Sequence, residues 1–222
     1  MENIVENIKI PVTISTKDIT LYDLESNFNL SLNEESEFFP EWQKNTLTTS
    51  TEERMLLDLA KSAYLNLIKY SSMPENAVKL TVISPLLHLA GLLLSPFHLK
   101  TEASVTVTAP NDELTIEGRI DILVIEQNFW VLVIESKRAE FSIKVGLAQI
   151  LAYMLSNPVP EKPCFGLITN GGSYLFLKLI QDTSPTYGVS RVFDLFNPGN
   201  DLYDVLGILK EIKQLYLHDS ST

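Results

Sequence analysis

Residues 118–125 and 131–137 are apolar on both faces around their charged residues, with none of the polar alternation of a strand that keeps one face wet. Strands of this kind belong in the middle of a sheet covered on both sides. Each still carries charge, Asp121 in the first and Glu135 with Lys137 in the second. Charge in such a place is costly unless it is paired or bound to a metal. Suppose the two strands form a hairpin around a three-residue loop, 127–129, centred on Asn128. Asp121 then faces Glu135 on one side of the sheet, with Cβ atoms ~5 Å apart. Two carboxylates placed this way repel, and a divalent cation between them removes the conflict. Mg²⁺, or Mn²⁺ in its place, suits such oxygen ligands. Lys137 lies two residues beyond Glu135 and projects from the same face. An ammonium there can stabilise charge developing at a phosphorus, while a metal makes its bound water more acidic. The plainer alternative is a structural ion pair, Asp121–Lys137 or Glu135–Lys137.

The flanking pattern predicts an α/β fold. A helix opens at Thr51 with Glu52 and Glu53 in its first turn. Met55, Leu56, Leu59, Ala63, Leu67 and Ile68 then recur at helical spacing. A second helix starts at Pro74 and Glu75 and runs toward Gly91, with Pro85 as a kink. Strands follow over 104–108, 114–125 and 130–136, a helix over 144–155, strands over 164–169 and 173–180, and a closing amphipathic helix over 201–216. That order implies a mixed sheet with helices on its faces. Residues 1–50 read as an acidic arm or small subdomain with short strands in 8–14 and 19–30, and residues 51–222 as the main domain.

Asp121 and the Glu135-x-Lys137 tripeptide, followed by Gln149-x-x-x-Tyr153, resemble the PD-(D/E)xK nuclease superfamily. In particular they resemble the nuclease domain that opens the R (motor) subunit of type I restriction enzymes. The similarity spans residues 74–180, with Ile120 where the signature has proline. It implies a restriction-endonuclease-like fold and a Mg²⁺-dependent deoxyribonuclease. On that reading Asp121 and Glu135 bind the metal, the Ile134 carbonyl assists, and Lys137 is the catalytic cation. Gln149 and Tyr153 support the site and contact DNA. Glu75, ahead of Glu52 or Glu53, is an accessory acid. Gln149 and Tyr153 also fit a polar stripe on one helix face, and Glu75 also fits an N-terminal helix charge. Arg119, Arg138 and Lys144 could reach phosphate or could simply be solvated.

Other chemistries find little footing. There is no Gly-x-x-x-x-Gly-Lys-Ser/Thr loop, so no nucleotide cofactor or helicase motor is expected. No Gly-x-Ser-x-Gly elbow occurs. His88, His98 and His218 lack zinc spacing. A lone Cys164, no basic leader, and no apolar run near ~20 residues point to a cytoplasmic protein with no membrane span. The net charge of -11 opposes simple DNA binding. Residues 1–60 carry -8 of it, which leaves -3 on residues 61–222. DNA is the expected partner, with a second protein or a homodimer as a possible aid. A module that keeps the nuclease fold without cutting, or a structural protein that docks through its acidic arm, are the alternatives.

Overall fold

The computed structural model describes residues 12–43, 49–70, 73–138 and 146–218. Among these described residues nine strands form one mixed sheet: β1 (Val12–Ser15), β2 (Ser31–Leu32), β3 (Phe97–Thr108), β4 (Leu114–Glu126), β5 (Phe129–Ser136), β6 (Cys164–Thr169), β7 (Ser173–Gln181), β8 (Pro185–Val189) and β9 (Phe193–Asp194). The order is β1-β4-β5-β6-β7-β8-β2, with β3 on β4 and β9 on β7. One face is covered by α2 (Thr51–Leu67), α3 (Glu75–Val78), α4 (Ser84–Ala90) and α6 (Leu202–His218). The other is covered by α1 (Leu21–Phe28) and α5 (Leu147–Leu155). Alternate residues of β5 divide between the two layers, Leu132 and Ile134 with the first and Val133 with the second, as the doubly apolar pattern requires.

The expected hairpin register holds, by a different route. The loop is a two-residue turn, Gln127–Asn128, because Glu126 pairs with Phe129. Gln127 takes φ 52, as a tight hairpin turn demands. Val131 then has no partner, between the pairs Ile125–Trp130 and Val124–Leu132. That one-residue bulge restores the offset, so Ile122 faces Ile134.

Three other expectations change. Residues 19–30 hold helix α1, not strands. Thr20 and Asp23 form a reciprocal capping box, and Leu24 and Phe28, four apart, bury one face. In α2 the residues turned inward are Leu57, Ala60 and Tyr64, while Met55, Leu56, Leu59 and Leu67 are exposed. The helix over 144–155 begins at Leu147, and Lys144 lies outside the described residues. Residues 12–32 contribute two strands and a helix to this architecture. β1 joins β4, β2 joins β8, and α1 packs on α5.

The helix begun at Glu75 widens just before Pro85. Residues Lys79–Ile83 form a π turn, in which the Ser84 N–H donates to the Lys79 carbonyl. Proline has no N–H to give and crowds the carbonyl four residues back. A wide turn relieves that crowding.

Candidate functional site

The site lies where the β4 edge changes partners. β1 runs along the first part of β4 and ends opposite Glu117. β5 takes the later part and is last paired at Ile122. Residues 118–121 lie between, and the C-terminal ends of β1 and β5 point at each other across them. The gap opens into a cleft of about 690 Å³ whose walls include Thr16, Arg119, Asp121, Glu135, Lys137 and Tyr153.

A chain of hydrogen bonds crosses the cleft floor. Lys137 Nζ donates to Glu135 Oε1 at 2.7 Å and to Gln149 Oε1 at 2.7 Å. Gln149 Nε2 donates to Tyr153 Oη at 2.6 Å. The Tyr153 hydroxyl donates to the Arg119 carbonyl at 2.9 Å and accepts from Thr16 Oγ1 at 3.2 Å. Tyr153 thus satisfies a backbone carbonyl of β4 in the interval between β1 and β5, a place where an orphan would be costly. Gln149 and Tyr153 are both buried, so they are not a solvated stripe. Gly118 lets this happen. A Cβ there would stand 2.3 Å from Thr16 Oγ1 and 2.8 Å from Tyr153 Cε1.

Asp121 is held from two sides. Ser136 gives Oδ2 its backbone N–H at 2.8 Å and its hydroxyl at 3.1 Å. Lys79 Nζ donates to Oδ1 at 3.0 Å, and lies 3.4 Å from Glu75 and 3.8 Å from Glu102. Glu75 also accepts from Ser136 Oγ at 3.4 Å, which brings the accessory acid to the cleft. Arg119 is mostly exposed and 3.9 Å from Glu102. Ile134 is fully buried and paired within the ladder. Lys137 N–H donates to the Thr169 carbonyl on β6. Peptide groups alternate direction along a strand, so those of Ile134 and Ser136 turn toward β4. Arg138 is exposed. Lys79, Glu102, Ser136 and Thr16 enter the site without having been marked in the sequence.

Glu135 is electrically the least settled member. Its Oε2 is buried and has no hydrogen-bond partner among the described residues. Burial first, and then the charge of Asp121, push its pKa up to about 7 against the pull of Lys137. Burial also raises Tyr153. Among the described residues no three His, Cys, Asp or Glu side chains converge as a metal cage. Mg²⁺, however, commonly uses one or two carboxylates and keeps its waters. The bare oxygen of Glu135 beside Asp121 suits that partial donor set. Among the described residues no helix is long and apolar enough to cross a membrane. In comparisons with known proteins, the chain matches no family model and no curated protein.

Proposed function

We propose that the protein is a Mg²⁺-dependent endonuclease of PD-(D/E)xK type, similar to a type I restriction R-subunit nuclease domain without its helicase motor. The observation that carries this reading is the buried, unpartnered Oε2 of Glu135, set beside Asp121 and an ammonium that its own strand supplies. Asp121 and Glu135 would hold the ion. The chemistry a bound Mg²⁺ would supply is polarisation of a phosphoryl oxygen and a more acidic water. Lys137 carries a fixed positive charge toward the scissile phosphate. Gln149 takes one Lys137 N–H and fixes its direction, and Tyr153 fixes Gln149 in turn. DNA is the proposed substrate, with Arg119 free to meet a backbone phosphate across the cleft.

The test is nicking of supercoiled plasmid in Mg²⁺ and in Mn²⁺, by the wild type and by Glu135→Ala, Asp121→Asn and Lys137→Ala. Each variant should lose at least ~100-fold in rate, the scale set by removing one preorganised charge-stabilising group. A nicking rate that survives all three substitutions rules the assignment out. The charge of -11 favours a second reading, a module that keeps this fold but does not cut. Divalent-ion binding by the wild type without nicking of single- or double-stranded DNA would select it.

A further inference from the structure

Lys79 has no place in the machinery proposed above, yet its ammonium lies within 4.0 Å of three carboxylates that line the cleft. Its ammonium stands 3.0 Å from Asp121 Oδ1, 3.4 Å from Glu75 and 3.8 Å from Glu102. It is an ammonium set among three carboxylates. We propose that Lys79 is a resident counter-ion of the site, which holds Asp121 in the metal-free protein and must leave it when a divalent cation loads. This rests on the metal-dependent reading of the same cleft.

Three observations support displacement over a fixed ion pair. First, Lys79 opens the π turn and stands immediately after α3, so its backbone is placed by the Pro85-driven widening of the helix. π turns recur at functional sites for this reason, since they aim one side chain off the regular helical stripe. Second, there is room to move. A second cavity of about 320 Å³, lined by Leu80, Leu87, Leu93 and Leu99 among others, includes Lys79 in its wall and meets the cleft at Asp121 and Glu102. Third, there is somewhere to go. Glu102 is mostly exposed and already within ionic reach, so a lysine released from Asp121 keeps a partner. Glu102 also takes φ 53, directly opposite Asp121, and the β3–β4 ladder pairs the residues on either side but not these two. Left-handed backbone at a non-glycine residue is tolerated where its surroundings enforce it, and here it carries the carboxylate to the cleft rim.

A resident ammonium and a divalent cation compete for one Asp121 oxygen. Removing the ammonium should therefore strengthen metal binding while weakening the empty protein. A lysine with a purely structural role would do the second and not the first. The experiment is calorimetric titration of Mn²⁺ into the full chain as wild type, Lys79→Met, Lys79→Arg and Asp121→Asn, with thermal melts in EDTA and in Mn²⁺. Lys79→Met should bind Mn²⁺ about tenfold more tightly, the scale of releasing one close, part-buried charge pair. It should melt below the wild type in EDTA and regain that difference in Mn²⁺. Lys79→Arg keeps the charge and should stay near wild-type affinity. Equal or weaker Mn²⁺ binding by a folded Lys79→Met, with wild-type binding intact and lost in Asp121→Asn, overturns the counter-ion role and leaves the metal site standing. Absence of Mn²⁺ binding in wild type and Lys79→Met alike overturns both.

Discussion

A carboxylate with one oxygen paired and the other bare is an expensive occupant of a protein interior. Glu135 is in that position, with Oε1 on Lys137 and Oε2 on nothing. Its folded pKa, raised to about 7 from 4.5, means that between those values the folded chain keeps a proton the unfolded chain has lost. Stability of the metal-free protein should then fall as pH rises through that window, by up to about 3 kcal/mol. Urea unfolding in EDTA at about pH 5 and about pH 8 measures it. Glu135→Gln should remove the slope and stabilise the protein at the higher pH. Identical slopes in the two proteins would mean that Oε2 is not the source. Mn²⁺ binding should run the other way, strengthening toward pH 7 and levelling above it, because the ion takes the ionised form. Asp121, Glu135 and Lys137 were legible in the sequence because they sit on neighbouring strands at a fixed offset, and Gln149 with Tyr153 because they sit one turn apart. Lys79 was not, since it reaches Asp121 from 42 residues away. Glu102 needed the β3–β4 register, which depends on the path of the connecting turn.

At the scale of the element, the hairpin shows how a correct geometry can follow from the wrong loop. The loop is one residue shorter than expected, the bulge at Val131 adds one unpaired residue to β5, and the two changes cancel before the chain reaches Asp121. In α1 the apolar residues fit a strand or a helix equally well, and the Thr20–Asp23 capping box decides between them. In α2 most of the large aliphatics point outward. Packing against the sheet layer selected Leu57, Ala60 and Tyr64, a choice that no property of the isolated helix announces. The contact of β1 with α5 across β4 gives a prediction at this scale. Gly118→Ala places a methyl among Thr16 and Tyr153 atoms and should cost about 1–3 kcal/mol, as overpacking does. In a Thr16→Ala background, which removes both crowding Thr16 atoms, the same substitution should cost markedly less. A double-mutant cycle by thermal melts reads the coupling. Strict additivity would mean that β1 is not pinned at Gly118.

For the whole molecule, the acidic N-terminal segment is what the sequence left least defined, and it proves to be joined to the sheet at two separate places, β1 along β4 and β2 along β8. β1 supplies one wall of the cleft and β2 extends the far edge beyond β8. Ile19, Leu24, Phe28 and Leu30 belong to the α5-side core, and Phe39 to the other. Glu41, in the 3₁₀ turn Pro40–Trp42, pairs at 2.7 Å with Lys178 of β7, and both side chains are largely buried. Its acidity therefore does not make it a detachable tail. Each of those aliphatic or aromatic burials contributes about 2 kcal/mol. A lysine left buried without its partner adds a penalty of about 3–5 kcal/mol. Together they rival the ~5–15 kcal/mol that holds a typical domain folded. A chain beginning at Thr49 should accordingly show no cooperative urea transition, and should lose Mn²⁺ binding with it. A truncated chain that melts as sharply as the intact one would show instead that residues 49–218 fold alone. The cleft would then have one wall fewer than the metal-free structure gives it, and the site would have to be sought entirely on β4, β5, α3 and α5.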